Sequence, residues 1–310
     1  AFLRQLLICF LFTLLSFPLS AQLVVAPNNN GPFLADYITA NGVTVLNVTR
    51  NGPNDASGTF DVTTSNIGLD SGIVLTSGSV QNAVGPNNTG SVTTVNNGGS
   101  DPDLFAISGS TIFDACVLEF DLIPICDTIQ IRYVFGSDEY DEYVCADVND
   151  AFGFFISGPG YPTLTNLATI PGTTTPVSIN SVNNGTAGTF ASAPLPASCN
   201  LGNNAFYTTN AGGVSVQYDG FTVVLTARAP VTPCDTYRLK LAIADGGDGS
   251  FDSGVFLEAD GISCTAAPVP IDVSSFVNST VSAELVEDCI DGGFVFTRGS
   301  NLTNQDTLYY

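Results

Sequence analysis

Residues 129–135 read IQIRYVF and residues 237–244 read YRLKLAIA, and in both stretches every second side chain is apolar. A period of two places those side chains on one face of a β-strand. Four further stretches are strand-like: VLEFDL at 117–122, AFGFFIS at 151–157, FTVVLTA at 221–227 and VFLEA at 255–259. Strands with one polar face are typical of antiparallel sheets, so the sequence predicts an all-β fold, an antiparallel β-sandwich of jelly-roll-like form. Only residues 33–40 and 103–107 suggest short helices.

The composition excludes several functions. The 310 residues include 29 acidic and 7 basic side chains and no His, which gives a formal net charge of -22. Without His, neither a Ser-His-Asp or Cys-His nucleophile nor a His-ligated metal site is available. Phosphate binding needs clustered Lys and Arg, so a nucleic acid is not expected as a partner. The hydrophobic content of 44% nevertheless argues for a folded chain rather than a disordered one.

The beginning of the chain has the pattern of a signal peptide over residues 1–21. Arg4 is followed by an apolar run at 6–17 and by Leu19-Ser20-Ala21, a small-residue cleavage motif. This predicts an exported protein, secreted or held at the cell surface. No later stretch is long and apolar enough to span a membrane in the mature fragment.

The remaining sequence divides into three parts. Residues 22–265 have the size and pattern of one large β-domain, and residues 266–272, which include AAPVPI, suggest a linker. Residues 273–310 carry two more strand-like stretches. They are expected to be the truncated start of a second, Ig-like β-domain.

Export changes how the cysteines are interpreted. Six of them lie in the large predicted domain and are disulfide candidates: Cys116, Cys126, Cys145, Cys199, Cys234 and Cys264. They predict up to three disulfides, with a connectivity that the sequence leaves open. A thiolate metal site is the alternative, but no C-x-x-C spacing supports it.

Acidic residues concentrate in two related loops. PICDT at 124–128 leads through a strand into GSDEYDE at 136–142, and PCDT at 233–236 leads through a strand into DGGDGSFD at 245–252. If the two strands lie side by side in the same direction, or face each other across the sandwich, both loops emerge at the same end.

Ca²⁺ takes six to eight oxygen ligands, and the acidic loops are rich in carboxylates. The candidate metal ligands are Asp138, Glu139, Asp141, Glu142, Asp150, Asp245, Asp248 and Asp252. The alternative is that these acids are solvated turn residues, with Asp acting in Asx-turns. A glycosidase pair such as Glu139 and Asp248 is conceivable, but sugar clefts commonly stack rings on aromatics and the chain has no Trp. The chain is therefore not expected to be an enzyme.

Several blocks occur in a fixed order along the predicted domain: NIGLDSGIVL (66–75), AVGPN (83–87), DACVLEFD (114–121), YVFGSDEY (133–140), NDAFGFFISGPG (149–160), AIAD (242–245) and DSGVFLEA (252–259). With these blocks the chain resembles the choice-of-anchor L domain of large secreted or surface proteins from Bacteroidota-type bacteria. The resemblance implies an exported multidomain protein that ends in a type IX secretion sorting signal or another anchor. It implies no chemical activity.

These observations together favour a non-catalytic cell-surface module for adhesion or surface assembly, stabilised by Ca²⁺. Its expected partners are other surface proteins or glycans. A carbohydrate-binding module is the alternative, which an exposed row of Tyr on one sheet would favour. A glycoside hydrolase-like enzyme comes third.

Overall fold

The computed structural model describes residues 23–62 and 65–264 and, beyond them, the strand segments Ser274–Val277, Thr280–Ser282 and Phe294–Val295. The predicted signal peptide (1–21) and linker (266–272) lie outside the described residues, as does most of the predicted second domain (273–310). The chain divides into two compact units, one ending at Cys264 and one beginning at Thr265. In the second unit, the three strand segments form a small antiparallel sheet.

The first unit consists mainly of strands. They are β1 (Leu23–Pro27), β2 (Val43–Asn51), β3 (Ser57–Val62), β4 (Ser71–Thr76), β5 (Ile112–Pro124), β6 (Thr128–Ser137), β7 (Ala151–Gly158), β8 (Tyr161–Asn166), β9 (Tyr207–Thr209), β10 (Gly220–Thr222), β11 (Leu225–Pro230), β12 (Tyr237–Gly246), β13 (Ser253–Glu258) and β14 (Ser263–Cys264). The helices are α1 (Gly31–Tyr37), α2 (Pro102–Ser108) and the 3-10 turns Val80–Ala83 and Asn204–Phe206.

The strands form two antiparallel sheets. The larger sheet has the order β1-β3-β4-β13-β6-β10-β9, and β11 and β14 also pair with β6. The smaller sheet has the order β2-β5-β12-β7-β8. The prediction of an all-β antiparallel sandwich is confirmed, with no barrel closure.

The main core lies between the sheets, where β6 of the larger sheet faces β12 of the smaller one. Its apolar side chains are the ones that the alternating pattern indicates: Ile129, Ile131, Tyr133 and Phe135 from β6, and Tyr237, Leu239, Leu241 and Ile243 from β12. Each is almost completely buried. Burying one side chain of this size contributes about 1.5–3 kcal/mol to the stability of the fold. The side chains of these two strands therefore contribute strongly to holding the sheets together.

A second apolar cluster lies on the outer face of the larger sheet. Val134 and Phe256 point to this side, where they meet Tyr218 and Val80 from chain segments that cover the sheet. Gly136 and Gly254 leave room for the Tyr218 ring, since a Cβ at Gly254 would lie 2.4 Å from its hydroxyl oxygen. The larger sheet is therefore buried on both faces in this region.

Three details differ from the sequence expectation. FTVVLTA is interrupted, because β10 ends at Thr222 and β11 begins at Leu225. At the break, the Thr222 hydroxyl accepts a hydrogen bond from the Phe135 amide at 3.1 Å in place of a strand carbonyl. The first helix begins earlier than expected, since Asn30 caps it by accepting from the Phe33 amide. Several strands were not among the predicted ones, namely β1, β2, β3, β4, β8, β9 and β14.

Four of the six candidate cysteines form disulfides. Cys126 pairs with Cys264 and Cys145 pairs with Cys199, closing loops of 138 and 54 residues. Cross-links of this span stabilise a fold by about 4–5 kcal/mol each in the chain-entropy account.

The sequence predicts up to three disulfides; the described residues contain these two, and the remaining candidates, Cys116 and Cys234, are free. Cys116 lies in the core on β5, where its thiol is 3.7 Å from the Arg50 guanidinium. Cys234 is exposed. Cys126 and Cys234, which precede the two matched strands in the sequence, thus differ, since Cys126 is disulfide-bonded and Cys234 is free.

Candidate metal centre

The two acidic loops lie at the same end of the sandwich. Strand β6 ends at Ser137, which is paired with Ser253 at the start of β13. Directly beyond, the Asp138 amide donates to the Asp252 carbonyl oxygen at 3.2 Å. The first loop thus meets the end of the second, because β6 pairs with β13, the strand that follows the second loop.

The eight candidate ligands divide by burial. Five are almost completely buried, with at most 1% of their surface exposed: Asp138, Glu139, Asp150, Asp245 and Asp252. Asp141 is half-buried, and Glu142 and Asp248 are exposed. The structure therefore brings five of the eight into the protein and leaves three at its surface.

Three of the buried acids lie between the sheets, and we call Glu139, Asp150 and Asp245 the inter-sheet group. The Asp150 carboxylate connects the two sheets, since it accepts from the Gly246 amide at 2.9 Å and from the Ser253 hydroxyl at 2.6 Å. Asp245 lies on β12, just beyond a bulge after Ile243. Glu139 follows the end of β6.

The inter-sheet group contains unpartnered oxygens. Oε2 of Glu139 and both carboxylate oxygens of Asp245 are buried without a hydrogen-bond partner, although Ser77 lies near Asp245. Burial first, and then the charges of Asp150 and Asp245, raise the pKa of Glu139 well above its usual value. Burial also raises the pKa of Asp150 to about 8. Ionised, these groups need a positive charge close by.

The other two buried acids, Asp138 and Asp252, belong to the outer face of the larger sheet. Together with Asp219 we call them the outer-face group. Both oxygens of Asp138 are buried without a hydrogen-bond partner, although Gln217 lies near. Burial and the Asp219 charge raise the pKa of Asp138 to about 9. Burial raises the pKa of both Asp252 and Asp219 to about 6.

No basic side chain of the described residues forms an ion pair with either group. The salt bridges join Arg132 to Glu258, Arg238 to Glu119 and Asp121, and Lys240 to Asp101 and Asp103. Arg50 donates to backbone oxygens of Gly52 and Pro53. A buried charge without a partner costs several kcal/mol, so the unpartnered carboxylates of each group must be protonated or lie beside a cation.

The donor set suits an oxygen-binding cation with help from other ligands. Within 23–62 and 65–264, no three His, Cys, Asp or Glu side chains meet closely enough to hold a metal by themselves. Ca²⁺ accepts amide, hydroxyl, carbonyl and water oxygens beside carboxylates. Ser77 by Asp245 and Gln217 by Asp138 are such neighbours. In such a ligand set the unpartnered carboxylate oxygens would supply the anionic part.

The three surface candidates have other contacts. Asp141 accepts from the Tyr207 hydroxyl at 2.7 Å, and Asp248 accepts from the Ser250 amide at 2.9 Å in the manner of an Asx-turn. The Glu142 carbonyl oxygen accepts from the Phe190 amide. The contact of Asp248 therefore agrees with the alternative that this acid is a solvated turn residue.

The sequence analysis missed two acids near these groups. Asp219 lies alone between Tyr218 and Gly220, and no spacing pattern marks it. Asp114 has a left-handed backbone, with φ of 53°, and accepts from the Asn96 and Gly98 amides. Asp114 was visible in the sequence only as the first residue of DACVLEFD.

The geometry does not assemble a glycosidase site from Glu139 and Asp248, because Glu139 is buried and Asp248 is exposed. A surface cavity of about 400 Å³ close to the acidic loops has Asp114 as its single carboxylate. None of the tyrosines in the described part of the chain is exposed, so the row of Tyr that would favour glycan binding is not seen there. Nor does the described part contain a helix that is long and apolar enough to cross a membrane.

Comparison with protein families gives one match. The model of the choice-of-anchor L domain matches residues 27–263, which is most of the chain and nearly all of the first unit. The match includes every member of the inter-sheet and outer-face groups. Neither a curated protein nor a solved structure matches the chain significantly.

Proposed function

Because this chain belongs to the choice-of-anchor L domain family, a surface-associated type of module, we propose that it serves a non-catalytic role in adhesion or surface assembly. We further propose that Ca²⁺ holds its acidic end together. The two disulfides support a location in an oxidising compartment, outside the cytosol. Other surface proteins or glycans are the proposed partners.

The calcium part of the proposal rests on the unpartnered oxygens of Glu139 and Asp245 in the inter-sheet group. Protonation alone would leave neutral acids whose oxygens still lack hydrogen-bond partners, which is costly in a buried site. A cation satisfies several oxygens at once. Among hard cations, Ca²⁺ tolerates an irregular and flexible ligand set, whereas Mg²⁺ requires near-octahedral geometry and retains its water.

The proposal of a non-catalytic role rests on how little of Glu139 a substrate could reach. Glu139 is 1% exposed, so a substrate cannot reach its carboxylate without opening the sandwich. Asp248 is exposed but engaged in its own turn. Structural binding of an ion is the role that buried carboxylates of this kind can perform without contacting a substrate.

Calcium binding is tested by thermal unfolding of the oxidised full chain. Extracellular modules bind Ca²⁺ with Kd of about 10⁻⁴–10⁻³ M. At a hundred times Kd, one site adds about 2.7 kcal/mol, which raises Tm by about 5–10 °C for a domain of this size. Mg²⁺ at the same concentration is expected to give a smaller shift. Equal Tm values in EDTA and in saturating Ca²⁺ would contradict the proposal.

Matched variants locate the effect. Asp245→Asn is expected to reduce the Ca²⁺-dependent rise in Tm, since Asp245 contributes two unpartnered oxygens. Asp248→Asn is the control, because this exposed residue lies in the same loop. If both variants show the same Ca²⁺-dependent rise in Tm as the wild type, the ion binds elsewhere.

The surface role is tested on intact cells that produce the full protein with an epitope tag. Protease added outside the cells is expected to remove the tag and the domain. Protection of both in intact cells, with digestion only after lysis, would overturn it. A glycan array probed with the same chain distinguishes the two partner classes, since specific glycan hits support sugars and their absence supports proteins.

A further inference from the structure

The outer-face group lies on the opposite side of the larger sheet from the inter-sheet group. Asp138 and Glu139 are consecutive, yet their acidic neighbours differ. The acids that raise the pKa of Glu139 are Asp150, Asp245 and Asp248, whereas those that raise the pKa of Asp138 are Asp219 and then Asp252. The two carboxylates that follow strand β6 thus have different acidic neighbours, although Asp252 also acts on Asp150 and Asp245.

Asp138 is the least satisfied member of the outer-face group. Its carboxylate is 1% exposed, and neither oxygen has a hydrogen-bond partner. Gln217 is a polar neighbour of Asp138; its amide nitrogen donates to the Thr89 carbonyl oxygen, and its amide oxygen accepts from the Asn88 amide at 3.4 Å. Both carboxylate oxygens of Asp138 are therefore buried and unpartnered in a region that also contains the acids Asp219 and Asp252.

The neighbours of Asp138 are attached to one stretch of chain, residues 82–94, which has no strand or helix after Ala83. Asp252 accepts from the Thr94 amide at 3.0 and 3.1 Å and from the Asn82 side chain at 2.6 Å. Asp219 accepts from the Asn87 side chain at 2.8 Å. Hydrogen bonds to the outer-face group thus connect this irregular segment to the larger sheet.

We propose that the outer-face group binds a second divalent cation, Ca²⁺, distinct from the ion of the inter-sheet group. Asp138 supplies both carboxylate oxygens, and Asp219, Asp252 and the Gln217 amide oxygen complete the ligand set directly or through water. The ion fastens residues 82–94 to the outer face of the larger sheet. This inference extends the proposed function, because it assigns another ion of the same kind to a second place.

Two features favour a separate ion. The acids grouped with Asp138 accept hydrogen bonds from residues 82–94, whereas Asp150 of the inter-sheet group accepts from Gly246 and Ser253 of the two sheets. Asp219 is half-buried and belongs to the segment that covers the outer face, away from the inter-sheet core. Each group retains its own unpartnered oxygens.

The experiment is a calorimetric Ca²⁺ titration of the oxidised full chain and four variants. Asp138→Asn and Asp219→Asn alter the outer-face group, Glu139→Gln alters the inter-sheet group, and Asp248→Asn is the exposed control. Each outer-face variant is expected to lose one bound Ca²⁺ relative to the wild type while keeping the inter-sheet ion. Glu139→Gln is expected to lose the other ion and the control none.

A second measurement follows the segment itself. Hydrogen exchange of residues 82–94 is expected to slow at least tenfold on adding Ca²⁺ to the wild type and to Glu139→Gln. In Asp138→Asn and Asp219→Asn the slowing is expected to be lost. If Asp138→Asn fails to fold, the half-buried Asp219→Asn carries the test alone.

The outcomes separate this inference from the proposed function. A wild-type chain that binds Ca²⁺ with a stoichiometry unchanged by Asp138→Asn and Asp219→Asn but reduced by Glu139→Gln overturns the second site and leaves the first. No Ca²⁺ binding at all overturns both. Loss of one ion in the outer-face variants, together with loss of segment protection, supports the second site.

Discussion

The backbone amide of Asp138 donates a hydrogen bond to the backbone carbonyl oxygen of Asp252 at 3.2 Å. This bond continues the ladder of β6 and β13 by one residue past the Ser137–Ser253 pair. It joins loops that are more than a hundred residues apart in the sequence. Acids that are remote along the chain thereby share one buried region, where they determine each other's ionisation.

The stability of the calcium-free domain should depend on pH in the direction that the buried acids dictate. The folded pKa is about 6 for Asp252, about 8 for Asp150 and about 9 for Asp138, against about 4 in an unfolded chain. The folded state then holds protons that the unfolded state releases, so stability falls as pH rises from about 4 to about 9. Urea unfolding in EDTA across this range measures the slope.

Calcium should reduce this loss, because the ion binds the ionised carboxylates. The fall between about pH 5 and about pH 9 is expected to be smaller in saturating Ca²⁺ than in EDTA. Asp138→Asn should lower the slope in EDTA, whereas Asp248→Asn should lower it less, since the Asp248 charge is only a minor cause of the raised pKa of Glu139 and Asp150. Stability in EDTA that is constant or rises over this range would contradict the assignment of buried acids.

The disulfide between Cys126 and Cys264 should contribute strongly to stability. It connects the turn before β6 to β14 and closes a loop of 138 residues. Cys264→Ser is expected to lower the free energy of unfolding by about 2–5 kcal/mol, measured by urea denaturation without reductant. Cys234→Ser removes an unpaired thiol and should change stability little. Equal losses in the two variants would argue against the observed pairing.

The two free thiols should differ in reactivity. Burial raises the pKa of Cys116 to about 11, despite the opposing effect of Arg50, and its thiol is inaccessible. Cys234 is exposed. Iodoacetamide is expected to label Cys234 in the native protein and Cys116 only after unfolding, with peptide mass spectrometry locating the label. Native labelling of Cys116 at a comparable rate would contradict its buried position.

The buried ion pair of Lys240 should be intolerant of losing one partner. Its ammonium group lies 2.6 Å from carboxylate oxygens of Asp101 and Asp103, and the side chain is 8% exposed. Lys240→Met leaves the Asp101 carboxylate buried without its cation, so we expect a loss of about 3–5 kcal/mol in urea unfolding.

The more exposed partner provides the control for Lys240. Asp103→Asn should lower the free energy of unfolding by less than Lys240→Met, because Asp103 is 36% exposed and Asp101 remains. A loss in Lys240→Met no greater than in Asp103→Asn would show that this pair adds little to the fold.

Much of the fold follows from local pattern. The alternation in IQIRYVF and YRLKLAIA identifies two strands and the side chains that they bury, because period two alone separates the faces of a strand. The same pattern did not locate the break at Val223, because strand periodicity carries no information about which neighbour a strand pairs with. Phe135 and Thr222 meet there only in the folded chain.

The candidate site could be predicted in part. The repeated order of turn, strand and acidic loop indicates where the acids lie, but Asp141, Glu142 and Asp248 have the same local signature as the acids that are buried. Asp219 contributes from a segment with no acidic pattern. Burial depends on what covers a residue, and the covering chain comes from distant positions such as 82–94.

The sequence by itself determined that this is a β-protein with few cationic side chains and two acidic loops after matched strands, because composition and periodicity are local properties. Only the tertiary structure decided which carboxylates lose contact with water, which side of the larger sheet each one occupies and which cysteines meet. Those outcomes depend on contacts between residues far apart in the chain. In the described structure such contacts bury Asp138, Glu139 and Asp245, and each of these side chains keeps at least one oxygen without a hydrogen-bond partner.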